Sequence, residues 1–395
     1  MKVLVHGAVA LLTALATLST QAQTPLPIGF ITTLSTPAGY IGEDERDGFM
    51  LAVREEGDKL GGVPVKVIIE DDALKPANGK QIADKMVQDG VRLFTGINFS
   101  NVLVAVAPTV LDAGGTYVSL NAGPSTYAGK NCNPGYFSVA FQNDSYSDTA
   151  GIAANELGYK RMVLLAPNYQ AGRDALNGFK STYKGQVLAE IYTKLDQSDF
   201  SVELARVREL KPDAIFQFHP GGAGINLAKQ YANSGMAATV PMLTPIYSMD
   251  RRMLAATGNA GNGYYLAASW SADLDNPENK RFVENFVKAY GRLPTDYAAT
   301  SYDTARLIGS ALKAVEAVRE AGGERPLPAV EGEHRAVDQP VVAGVDAELR
   351  VELEIGGGEV GLELRRAGEA EGGGELDAVG VEAHLVVRDR LAAER

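Results

Sequence analysis

The sequence predicts two doubly wound α/β lobes joined by a hinge. Short apolar or β-branched runs alternate with amphipathic stretches of about a dozen residues, the pattern of βαβ units around a parallel sheet. The alternation runs through once and then starts again, and two long helical stretches follow the second cycle. A chain of 395 residues suits such a plan, because single hydrophobic cores usually stop growing near ~250–300 residues.

The first cycle opens with Ile28-Gly-Phe-Ile-Thr-Thr-Leu34, an apolar run that reads as a strand. Phe49, Met50 and Val53 then fall at helical spacing, which predicts a helix over 44–56. Val63-Pro-Val-Lys-Val-Ile-Ile69 is β-branched and reads as a strand, followed by a helix over 77–88. Strand 91–97, helix 102–111 and strand 116–120 repeat the unit. The second cycle predicts helix 144–157, strand 162–166, helix 172–183, strand 186–191, helix 200–210, strand 214–218, helix 223–234 and a short strand at Met242-Leu243. Helices over 278–290 and 297–321 come after Trp270, where the chain can return to the first lobe. The expected organisation is therefore lobe 1 over 23–141, lobe 2 over 142–270, and a return to lobe 1 over 271–322.

Both ends read differently. Met1-Lys2 followed by an apolar run over 8–18 and Thr20-Gln21-Ala22 has the order of a secretory signal, with cleavage expected after Ala22. The run is too short for a membrane anchor, which takes about 20 apolar residues. From Arg325 to Arg395 the chain contains no Ser, Thr, Asn, Lys, Phe, Tyr, Trp, Met or Cys, and it carries sixteen acidic against eight basic residues. Globular segments of that length normally hold aromatics and hydroxyl side chains. The vocabulary fits GC-rich codons read out of frame, with an acidic disordered tail as the alternative. Residues 323–395 are expected to lie loose or to form a poorly packed helix.

The net charge of −12 argues against nucleic acid as a partner. Cys132 is the single cysteine, so no intrachain disulfide can form. Glu70-Asp71-Asp72 is a run of acids without a nearby His, and it reads as a solvated strand end rather than a metal or acid–base site. Gly222-Ala-Gly224 lacks the last glycine of a dinucleotide fingerprint and reads as a helix entry. There is no G-x-S-x-G elbow, no phosphate loop ending in Lys-Ser/Thr and no Ser/His/Asp set. No enzyme chemistry, no cofactor and no metal are expected.

In open α/β sheets ligands bind beyond the carboxyl ends of the strands. The loops there hold Ser35, Asn98, Ser100, Asn121, Ala122, Gly123, Tyr169, His219 and Tyr247, with Tyr146 just inside a following helix. These are amide, hydroxyl, small or aromatic residues with no dense charge cluster. Ser100 and Gly123 flank helix starts, whose N–H groups attract a carboxylate. The tyrosines offer walls for an apolar or aromatic body. Ser100 and Asn121 also suit plain helix capping, and a lone histidine such as His219 also suits a structural place.

Several of these segments, in order, resemble the Leu/Ile/Val-binding family of periplasmic solute-binding proteins. They are Ile28 to Gly39, Glu70-Asp71-Asp72, Pro76, Gly96 to Asn101, Asn121-Ala-Gly-Pro124, Ala166 to Gly172, Lys211 to Ile215 and Tyr302-Asp303, spread over roughly 25–320. Within the family they are most similar to the branch that takes up aromatic acids. The resemblance implies the type I periplasmic binding protein fold, a monomer in the periplasm, and a small-molecule carboxylate held between the lobes and delivered to the permease and ATPase subunits of an ABC importer. It places the carboxylate at Ser100 and Asn121 to Gly123. The family's amino-acid binders meet the ligand ammonium with an acid from the second lobe; the nearest loop here, Pro245-Ile246-Tyr247-Ser248, has none. An amino-acid ligand of the same family and a sensory receptor ectodomain of the same fold stay open as alternatives.

Overall fold

The computed structural model describes residues 24–320 together with 350–355, 358–366 and 381–388. The expected signal sequence, 1–22, lies outside the described residues. Among those described, no helix is long and apolar enough to cross a membrane.

The first half runs β1 (Leu26–Thr32), α1 (Gly39–Glu55), β2 (Lys59–Leu60), β3 (Val63–Asp71), α2 (Pro76–Gln88), β4 (Leu93–Gly96), α3 (Ser100–Asp112), β5 (Thr116–Ser119) and β6 (Tyr136–Ser138). These strands form one sheet in the order β2-β3-β1-β4-β5-β6, parallel except for the β2–β3 hairpin. The second half runs α4 (Ser145–Glu156), β7 (Arg161–Pro167), α5 (Gln170–Thr182), β8 (Gln186–Thr193), α6 (Ser201–Leu210), β9 (Ala214–Gln217), α7 (Gly222–Asn233), β10 (Met242–Pro245), α8 (Arg251–Thr257) and β11 (Tyr264–Ala267). Its sheet is wholly parallel, in the order β11-β10-β9-β7-β8. Two α/β sheets of this kind make the type I periplasmic binding protein fold.

Two further helices, α9 (Pro277–Tyr290) and α10 (Asp296–Glu320), pack back on the first sheet. Phe282, Phe286, Ala298, Tyr302 and Ile308 share one core with Ile28 and Phe30 of β1 and Phe49 of α1. A separate core lies in the second half, where Val163, Leu165 and Ile215 of the sheet meet Phe200, Leu204, Leu227 and Tyr231 of the flanking helices. Both sheets are covered on their faces, which is why the central strands read as unbroken apolar runs instead of alternating ones.

The two lobes touch closely. Gly221, at φ 70°, sits against lobe 1, where an added Cβ would lie 2.8 Å from the Ala38 side chain. Only glycine meets both the left-handed backbone and that approach. Arg252 of α8 reaches across to Glu43 and Asp44 of α1, and Tyr40 donates to Asp250 at 2.6 Å.

Two expectations are corrected here. Glu70-Asp71-Asp72 is not simply a solvated strand end, since Asp72 is fully buried and accepts from Thr33 Oγ1 at 2.5 Å, while Asp71 accepts from the Leu34 amide. The two aspartates hold the loop after β1 in place. In the tail, strands β12 (Arg350–Ile355), β13 (Gly358–Arg366) and β14 (Val381–Arg388) pair antiparallel in a sheet of their own, where a loose chain or a helix was expected. Val351, Leu353 and Ile355 alternate with Glu352 and Glu354, a period of two that suits strands.

Candidate functional site

The ends of β4 and β5 in one lobe face the ends of β7, β9 and β10 in the other, and a cleft lies between them. The cleft is partly open to solvent. Among the described residues, none of the lining side chains carries a formal charge.

Aromatic rings make the walls. On one side Phe99, Tyr169 and Phe218 are arrayed with ring centroids 6.4 and 6.3 Å apart. On the other, Phe141 meets Tyr146 edge-on at 5.3 Å, and Tyr146 meets Tyr247 edge-on at 5.1 Å. Tyr247 donates its hydroxyl to that of Tyr146 at 3.2 Å, and Tyr146 in turn pairs with Ser269 at 2.8 Å. Tyr297 donates to the Tyr247 carbonyl at 3.0 Å. Burial raises the phenol pKa of Tyr146, Tyr169 and Tyr247, so these walls stay neutral.

The polar floor comes from a strained elbow. After β4, Gly96 at φ 95° and Ile97 at φ 56° are both left-handed. A Cβ on Gly96 would fall 2.2 Å from the Ile31 carbonyl oxygen, and a β-branched residue such as Ile97 rarely adopts that backbone. Strain of this kind gathers at functional sites. The elbow delivers Asn98, 8% exposed, into the cleft lining. Its Oδ1 accepts from the Thr33 amide at 3.3 Å, while its Nδ2 is buried with no partner. Asn121 is turned the other way, donating from Nδ2 to Glu45 Oε1 and to the Asn98 carbonyl, each at 3.1 Å. Glu45 is fully buried, and burial raises its pKa well above the usual carboxylate range.

Two helix starts open onto this floor. The caps of α3 and α5 are Phe99 and Tyr169, and neither helix has a side-chain cap bond. The N–H groups of a first helical turn have no intrahelical acceptor, and the helix dipole adds partial positive charge there. Between them lies Asn143, which donates to Asp174 of α5 at 2.8 Å and to Ser100 Oγ at 3.1 Å, and accepts from the Gly123 amide at 3.2 Å. An amide oxygen thus already sits on a donor suited to a ligand carboxylate.

The sequence model of the periplasmic binding protein family matches residues 25–337. This chain belongs to that family. Leu/Ile/Val-binding protein homolog 6 of Brucella melitensis is 28% identical over 332 residues, spanning 78% of this chain and 84% of the relative. The solute-binding protein of an ABC transporter from R. palustris, solved in complex with benzoate, is 29% identical with a TM-score of 0.71, covering 74% of this chain and 81% of its own. The substrate-binding protein of a Streptococcus pneumoniae branched-chain amino acid transporter, solved with isoleucine, shares the fold at 21% identity and a TM-score of 0.66, covering 74% and 84%.

In this periplasmic binding protein, seven of the expected ligand positions line the cleft: Asn98, Ser100, Asn121, Ala122, Tyr146, Tyr169 and Tyr247. Three do not. Gly123 lies behind the lining and is held by Asn143. Ser35 is exposed on the loop beside Asp71. His219 is fully buried, with one ring nitrogen 3.0 Å from Thr193 Oγ1 and the other 3.0 Å from Gln217 Oε1. Both nitrogens are spent inside lobe 2, and burial pushes the ring's pKa down to about 3. Lining residues that the sequence did not single out include Phe99, Phe141, Asn143, Phe218 and Tyr297. Phe99 and Phe218 adjoin strand-end residues that were singled out, so adjacency was an available signal; Tyr297 arrives from the returning helix and had none.

Proposed function

We propose that the chain is the soluble capture component of an ABC import system, exported to the periplasm, where it holds a small aromatic carboxylate between its lobes and hands it to the permease. The observation that carries this is the uncharged, aromatic-walled cleft onto which the uncapped starts of α3 and α5 both open. A carboxylate there meets amide donors and partial positive charge. A ring meets Phe99, Tyr169, Phe218 and Tyr247, and ring pairs of this kind add roughly 0.5–1.5 kcal/mol each beyond their buried area.

An amine-free ligand is supported by a cleft lining that holds no acidic side chain among the described residues. Asp250 has its oxygens committed, Oδ2 to the Tyr40 hydroxyl and Oδ1 to the amides of Arg252 and Met253, and it does not line the cleft. The benzoate-bound R. palustris relative supports the aromatic assignment. A thermal-shift screen of aromatic and aliphatic carboxylates tests the proposal. Stabilisation by benzoate-type acids is the expected result, and stabilisation confined to amino acids would overturn it. Turnover of a stabilising ligand would overturn the binding role itself.

A further inference from the structure

The two carboxamides on the cleft floor face the ligand with opposite polarity. Asn98 spends its oxygen on the Thr33 amide and keeps an unpartnered, buried Nδ2. Asn121 spends both hydrogens of Nδ2, one on Glu45 and one on the Asn98 carbonyl. The orientation of that second amide is fixed, because the Asn98 carbonyl can only accept; a flipped Asn121 would set two carbonyl oxygens 3.1 Å apart. Glu45 reinforces it, itself held at Oε2 by Thr32 at 2.9 Å. What remains of Asn121 is Oδ1, an acceptor that has no partner among the described residues and is not sealed from solvent.

We infer that Asn121 is a specificity residue that selects, among acids, those bearing a hydrogen-bond donor near the carboxylate, with Asn98 Nδ2 and the α3 start taking the carboxylate and Asn121 Oδ1 taking the donor. This rests on the proposed carboxylate ligand and adds a second polar point to it. An acid without the donor leaves Asn121 Oδ1 desolvated and unpaired in the closed cleft, and sites built to pair a hydroxyl discriminate strongly against analogues that lack it. The preferred ligand is therefore a ring acid with a hydroxyl, or with a neutral aniline nitrogen, on a carbon close to the carboxylate.

Calorimetry with matched ligands tests this on the full mature chain. Benzoate, its three monofluoro isomers, its three monohydroxy isomers and 2-aminobenzoate are titrated into the wild type and into Asn121→Ala. 2-Hydroxybenzoate or 3-hydroxybenzoate should bind tenfold or more tighter than benzoate and its fluoro counterpart, and 4-hydroxybenzoate should not. Asn121→Ala should erase that preference, bringing the hydroxy, fluoro and parent acids to within about threefold of one another. Thermal unfolding checks that the variant folds, and Asn121→Ser serves if Asn121→Ala does not. Equal binding of hydroxy, fluoro and parent acids by the wild type overturns the inference, as does a preference that survives in the folded variant. The pair 4-methylpentanoate and 2-hydroxy-4-methylpentanoate separates the two proposals. A donor preference seen there, with no ring acid bound, upholds the role of Asn121 and overturns the aromatic ligand; binding of no acid at all overturns both.

Discussion

Arg252 Nη1 lies 3.1 Å from Oδ1 of Asp44, and this pair ties α8 of the second lobe to α1 of the first. The same guanidinium reaches Glu43 at 3.2 Å and the Tyr40 carbonyl at 3.1 Å, and stands over the Tyr40 ring at 4.9 Å. Asp44 is 1% exposed and is also held by Arg292 at 2.6 Å and Thr295 at 2.8 Å. The brace therefore acts between lobes, while Arg292 keeps Asp44 paired when Arg252 is gone.

Arg252→Ala should loosen the closed arrangement without unfolding either lobe. Small-angle scattering of the ligand-free variant should show a larger radius of gyration than the wild type. Ligand affinity should fall by about 1 kcal/mol, the upper range for a partly exposed ion pair. Identical scattering and affinity would show that the brace does not bias closure.

His219 makes a contrasting case. Its ring is buried, bonded at both nitrogens and set edge-on to Phe200 at 5.3 Å. His219→Ala should cost about 2–4 kcal/mol of stability, through a cavity and two stranded partners, and leave ligand affinity within threefold. Because its folded pKa is depressed to about 3, its contribution is present above the ordinary histidine pKa and fades as pH falls toward 3. Denaturant titrations and calorimetry on the same variant decide it. A tenfold loss of binding at unchanged stability would return His219 to the ligand site.

Asp296 carries the opposite pH signature. Burial, with the charge of Asp250 adding to it, pushes its carboxyl up to about 8, and its Oδ1 has no partner. The folded state thus binds this proton more tightly than the unfolded chain does. Its stabilising effect is full below the ordinary carboxylate pKa and is lost as pH rises through about 8. The slope can reach about 1.4 kcal/mol per pH unit for one group. Asp296→Asn should flatten the decline of unfolding free energy between pH 5 and pH 8. A variant whose slope over that range equals that of the wild type would contradict the assignment.

Much of the fold was legible because the strand cores are continuous apolar runs and several helices start at Gly, Pro or Asn, as α2 does at Pro76, α7 at Gly222 and α9 at Pro277 after Asn276. Helix α10 was expected over 297–321 and runs Asp296–Glu320; α2 was expected from residue 77 and begins at Pro76. Strands β2, β6 and β11 and the short helix α8 escaped notice, being two to seven residues long with no room for a period to show. Helix α1 starts at Gly39 rather than residue 44; Gly39 packs against the Leu34 carbonyl so closely that an added Cβ would lie 2.1 Å from its oxygen. The site was legible where strand ends carry Asn, Ser and Tyr. The orientation of Asn121 was not, because it depends on Glu45, seventy-six residues away in sequence.

The acidic stretch 323–395 is expected to be an out-of-frame product. Reading the gene with a one-base shift near codon 315 should yield a continuation rich in Phe, Tyr, Lys and Asn that extends the second lobe past β11. A gene with no such frame would count against this origin, and so would a tail as protected from hydrogen exchange as the lobes.

The most direct test is a calorimetric titration of the exported protein with benzoate, hydroxybenzoates, cinnamate and leucine, repeated with Ser100→Ala. Saturable one-to-one binding of a ring acid is the result expected, weakened by roughly 1–3 kcal/mol in the variant because a charged acceptor loses a donor. Tight leucine binding with no heat from any ring acid would contradict the account.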